Sequence, residues 1–165
     1  MGAKVGRLLA LTAVLLLGAP SPAVAVSGAQ DFQLFVVGPG PTPPGRVVAR
    51  GLITDAGTAR QISLVPNPDG TVTGTNIYSF DDGDLIVEFT GAPTSLQFDP
   101  VRCITRFTAA GTFDILGGTG AYSGASGSGT FTSEGRTILT RTASGCGPPS
   151  YEITRVRDVG TIVLP

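Results

Sequence analysis

Glu88 and Tyr78 are the side chains best suited by type to move a proton or to meet a ligand. Glu88 sits in Leu85-Ile86-Val87-Glu88-Phe89-Thr90, where strand alternation places Leu85, Val87 and Phe89 on one face and Glu88 on the other. With the apolar face inward, Glu88 is a solvated carboxylate. In the opposite register it is buried, its pKa rises by desolvation, and it can serve as acid or base. Tyr78, one strand earlier, offers a phenolic hydroxyl to the interior. Arg50, Arg106 and Arg155 each interrupt an apolar strand. They are candidates for a guanidinium fork around an anion, although arginine is also an ordinary outward strand residue.

What is missing narrows the chemistry further. The chain has no histidine, which removes Ser-His-Asp and Cys-His nucleophiles and imidazole-based zinc sites. Catalysis would have to use carboxylates, arginines, tyrosines or backbone groups, and no metal or cofactor is expected. Asp81-Asp82-Gly83-Asp84 could offer oxygens to calcium, but its spacing fits no EF-hand loop and Asp-Gly is a hairpin signal. Gly117-Gly118-Thr119-Gly120 is followed by Ser and Gly rather than by a helix, so it is not a phosphate loop. Cys103 and Cys146 are the two cysteines, in neither a CxxC motif nor reach of a histidine base. They are read as one structural disulfide closing a loop of about 44 residues, worth roughly 4 kcal/mol by chain entropy.

The elements that must position these groups begin with a processing signal. Lys4 and Arg7 precede an apolar run from Leu8 to Leu17, and Ala23-Val24-Ala25 supplies small residues for cleavage after Ala25. The run is too short to span a bilayer, so residues 1–25 are read as a signal peptide and the protein as secreted. Losing Lys4 and Arg7 from eleven basic residues leaves nine arginines against twelve acidic residues, a net charge of −3. The arginines are scattered along the chain, so neither nucleic acid nor a membrane surface is an expected partner. Ten arginines against one lysine, with abundant Ala and Gly, match a GC-rich bacterial source.

The remaining chain reads as eight to ten short strands separated by turn signals, with no sustained helical period. Residues 26–45 hold a first strand (Ala29 to Val37) and a connector with four prolines. Residues 46–165 form the main β domain. Asp55-Ala56-Gly57 and Pro66-Asn67-Pro68-Asp69-Gly70 read as turns.

Sandwich and barrel are separated by Gly111 to Phe131. There the turn at Gly117, Gly118 and Gly120 leads into a strand of small residues around Tyr122, and glycine within strands marks the bends by which a sheet curls shut. Ile115-Leu-Gly-Gly-Thr-Gly-Ala-Tyr-Ser-Gly-Ala-Ser-Gly127 resembles the signature hairpin of the allene oxide cyclase-like and dirigent barrels, and Tyr78-Ser-Phe-Asp-Asp-Gly-Asp-Leu85 is loosely similar to the strand-turn before it. The resemblance implies an all-β, antiparallel, eight-stranded barrel with an apolar lumen, in proteins that often form homo-oligomers. It also implies that a small hydrophobic molecule is bound there, or steered through cyclisation or coupling. The buried Glu and Tyr of the family's cyclases have no counterpart at Asp31-Phe-Gln-Leu34, so no catalytic residue is carried over. Three readings follow: a lumen that binds a small apolar ligand through Tyr78, Arg50 and Arg106; an isomerase or cyclase that folds a reactive substrate, with Glu88 and Tyr78 as its candidates; and a structural barrel packed solid.

Overall fold

A computed structural model describes residues 24–165. The export signal read over residues 1–25 lies outside the described residues, save for its last two. Eight strands follow one another: β1 (Val26–Pro39), β2 (Gly45–Gly51), β3 (Asp55–Pro66), β4 (Val72–Phe80), β5 (Gly83–Asp99), β6 (Ile104–Gly118), β7 (Ser126–Thr142) and β8 (Gly145–Leu164). Each pairs antiparallel with its sequence neighbours, and β8 returns to β1, closing the sheet into a barrel. That last seam runs from Val26↔Leu164 to Pro39↔Tyr151. The barrel thus begins at Val26, ahead of the proline connector, which is only the β1–β2 hairpin loop.

Period-two alternation explains which faces turn inward. On β2, Gly45, Val47 and Ala49 are buried while Arg46 and Arg50 are exposed. On β5, Leu85 and Val87 are buried and Phe89 lies against the core. The seven connections between consecutive strands then define two ends, three at one and four at the other. The end carrying the β2–β3, β4–β5 and β6–β7 turns is plugged by Ile53, Phe80, Tyr122 and Ala125, with Phe80 and Tyr122 packed edge to face at 5.9 Å. The other end carries the β1–β2, β3–β4, β5–β6 and β7–β8 loops. There the disulfide Cys103–Cys146 ties the tip of β5–β6 to the tip of β7–β8.

Two local readings are corrected. Asp55-Ala56-Gly57 is not a turn but the start of β3; the chain reverses at Gly51 to Thr54. The reason is remote. Gln30, buried on β1, accepts a hydrogen bond from Ile53 N (2.8 Å) and donates to Ile53 O (3.1 Å), so the reversal is stapled by a side chain. Tyr122 likewise is not on a strand. Gly120–Tyr122 forms one 3-10 turn, held because Thr119 N and Ala121 N donate to Asp84 O and Asp82 O, and β7 starts only at Ser126.

Glycine spacing provides the curvature and the room. Gly129 faces Gly160 across β7 and β8, and a Cβ on Gly129 would stand 2.3 Å from Val159 O and 2.7 Å from the Phe113 ring. A Cβ on Gly91 would stand 2.4 Å from the Phe131 ring. The rings lie directly over backbone that has no side chain of its own. Gly129→Val is therefore expected to lower unfolding free energy by at least about 2 kcal/mol through overpacking. Gly70→Asn, at an open turn position with φ of +86°, should cost only a few tenths of that. Urea unfolding of both variants checks the contrast; equal costs would remove the packing argument.

Candidate functional site

The lumen is a cavity of about 310 Å³ reached from the end with the long hairpins, between Thr42 and Pro43 on one side and Ala92 and Pro93 on another. Phe89, Phe107, Phe113 and Phe131 line it, together with Leu34 and Val87. Phe89 and Phe131 meet edge to face at 5.7 Å. Polar side chains break this apolar lining on two sides: Glu152, Thr154 and Asp158 face the lumen from β8, beside Ser133 on β7, and Gln61 and Asn76 face it from β3 and β4.

Tyr78 and Asp158 are the deepest polar pair. They lie on β4 and β8, half the barrel's circumference apart, and the Tyr78 hydroxyl donates to Asp158 Oδ2 at 2.7 Å across the lumen. Tyr78 also packs against Phe32, with ring centroids 5.5 Å apart. Asp158 is 3% exposed. Burial pushes its carboxyl up to about 7, helped by the nearby charge of Asp31 and opposed by the Tyr78 hydrogen bond. Burial also pushes the Tyr78 hydroxyl well above its ordinary value, with the Asp158 charge adding to the shift. Near neutral pH, Asp158 therefore populates both protonation states beside an apolar cavity, as a proton-transfer group requires.

Glu152 lies closer to the mouth. It is half-buried, and Thr154 Oγ1 donates to its Oε1 at 2.8 Å. Burial raises its pKa, against the Thr154 hydrogen bond.

The sequence candidates are distributed differently. Tyr78 lines the lumen. Glu88 is on the outer face, between Thr75 and Asp114 of the adjoining strands, because Leu85, Val87 and Phe89 take the inner face. Arg50 is exposed on β2. Arg106 and Arg155 are brought together, with Arg136, but along an outer groove beside Phe35, where the Arg155 guanidinium sits 5.7 Å from the ring centroid. None of the three arginines first considered reaches the lumen, since the same alternation that buries their neighbours turns them out. Gly117, Gly118 and Gly120 form the turn that docks on the Asp82 and Asp84 carbonyls, and Tyr122 plugs the closed end.

Glu152 and Asp158 escaped the sequence reading, although a signal was present. Arg155 and Arg157 share one parity on β8; two arginines belong outside, so Glu152, Thr154, Val156 and Asp158 must point in. Comparison with family models, curated proteins and solved structures finds no match for this chain.

The raised carboxyl makes stability depend on pH. Asp158 titrates at about 7 when folded, against an ordinary 3.8, so between these values the folded protein holds a proton that the unfolded chain has released. Stability falls as pH rises through that window, by up to about 1.4 kcal/mol per pH unit, and levels off above it. Glu152 slopes in the same direction. Asp69 and Asp99, held below their ordinary values mainly by hydrogen bonds from Thr71 and Arg102, act only in stronger acid. Urea unfolding at pH 5 and pH 8 should show a loss of about 2–3 kcal/mol in the wild type. In Asp158→Asn, which still offers Tyr78 an acceptor, the loss should be less than half as large. Equal losses in the two proteins would exclude Asp158 as the titrating group.

Proposed function

We propose that this is a secreted barrel whose lumen binds a small, largely apolar molecule. The observation that carries this reading is the phenylalanine-walled cavity of about 310 Å³ that opens at one end of the barrel, a volume in the range of small-molecule sites. A barrel packed solid would leave no such space. The polar groups on the wall, among them Gln61, Asn76, Tyr78, Glu152 and Asp158, are placed to orient an occupant rather than to solvate it. Export is supported by the basic, apolar and small-residue pattern at the N-terminus and by the disulfide, which persists in oxidising compartments. The likeness to allene oxide cyclase-like and dirigent barrels belongs to this same reading, supported by the glycine-rich hairpin and the closed eight-stranded sheet.

A second reading, an enzyme that holds a reactive hydrophobic substrate in one conformation, is favoured by one observation. A carboxyl that titrates at about 7 is hydrogen-bonded to a buried tyrosine at the base of the cavity. Templating needs little more than such a group and a shaped wall.

Binding of the neutral fluorophore N-phenyl-1-naphthylamine tests the first reading. The wild type is expected to enhance its emission at micromolar concentrations. Ala109→Trp, which fills the lumen from β6, should weaken binding at least about tenfold. An unchanged affinity in this variant would place the probe elsewhere. For the enzyme reading, Asp158→Asn should abolish turnover of a candidate substrate while leaving probe affinity within about twofold.

A further inference from the structure

The charge of the lumen is one-sided. Two carboxyl groups face it, Glu152 near the mouth and Asp158 near the floor, and no arginine lines it. All nine arginines from Arg46 to Arg157 are exposed, and there is no lysine among the described residues. Glu152 Oε1 takes the Thr154 hydroxyl, while Oε2 has no donor among the described residues. Asp158 takes Tyr78 on Oδ2; its Oδ1 has no donor either, and the residue is 3% exposed with its remaining surface on the cavity.

Resting on the lumen-binding reading, we propose that the molecule accepted is an apolar amine, its hydrocarbon body between the phenylalanines and its ammonium group against Glu152. A half-buried carboxylate in an apolar wall costs free energy until a counter-charge or further donors meet it. An ammonium group brings three donors and one positive charge. It reaches Glu152 without passing the phenylalanine wall, because Glu152 is on the mouth side of Asp158 in β8. The two carboxyls are six residues apart on that strand, roughly 20 Å at the usual rise, long enough for an extended alkyl chain between them. A hydroxyl or second amine at the far end of the ligand would meet the open oxygen of Asp158.

The same geometry rejects anionic amphiphiles. A fatty-acid carboxylate at the mouth would stand beside Glu152 with no guanidinium to bind it, whereas carriers of carboxylates rely on such a fork. The arginines that could have served, Arg106, Arg136 and Arg155, are on the outer groove.

The test uses the mature chain with its disulfide intact, bound to N-phenyl-1-naphthylamine at pH 7.5 and titrated below micelle formation with decylamine, decanol or decanoate. Decylamine is expected to displace the probe at about tenfold lower concentration than decanoate, with decanol between them. Glu152→Gln should bring decylamine to within about twofold of decanol and leave decanol unchanged. Asp82→Asn, which makes the same change of charge on an exposed turn at the far end, should preserve the ranking. Decanoate matching decylamine in the wild type overturns the proposal without any variant. So does an amine advantage that survives Glu152→Gln, or one that Asp82→Asn removes equally. Equal displacement by all three compounds removes the amine assignment alone, whereas failure of the probe to bind removes the lumen-binding reading and this proposal with it.

Discussion

An eight-stranded barrel has an interior only just wide enough for side chains from opposite walls to meet, and this constraint governs the molecule. A large ring can enter only where the neighbouring backbone has no side chain. Phe131 lies over Gly91 and Gly111, Phe89 over Gly74, and Phe113 over Gly129. Rings seated on glycine lie close to the wall, and the axis of the barrel is left free. The cavity is therefore a product of glycines spread over β4, β5, β6 and β7. Filling those positions with Cβ atoms would push the rings inward and abolish both the curvature and the space.

At the floor the rule is reversed. Phe32 and Tyr78 project across the lumen and meet, and the Tyr78–Asp158 hydrogen bond spans from one side of the sheet to the other. A buried carboxyl is a poor source of stability, because desolvation offsets much of what its partner contributes. Its raised pKa records that cost. An apolar pair of similar volume would serve the fold better, so stability alone does not account for Tyr78 and Asp158 at the floor.

The mouth depends on a different device. The β5–β6 and β7–β8 hairpins extend beyond β4 and β1, which pair with them only as far as Gly91 and Tyr151. Cys103 sits in the left-handed region with φ of 54°, a conformation unfavourable to a residue with a side chain. It is held there by the bond to Cys146 and by Leu139 N donating to its carbonyl at 2.8 Å. The two hairpins are thereby joined at their tips, in addition to the pairing of β6 with β7.

Much of this architecture was legible along the chain because its causes are local. Period-two alternation gave the strand faces, including the outward Glu88; Pro66 to Gly70 gave its turn; two cysteines in a chain without histidine gave the disulfide. The errors came where distant groups intervene: Gln30 replaces the turn expected at Asp55, and the carbonyls of Asp82 and Asp84 wind Tyr122 into a helical turn. The site itself divides in the same way. Glu152 and Asp158 were missed, although the shared parity of Arg155 and Arg157 on β8 implies that both point inward. That Asp158 meets Tyr78, 80 residues away in sequence, followed only from closure of β8 onto β1, because ring closure sets which strands stand opposite each other and no local pattern encodes that distance.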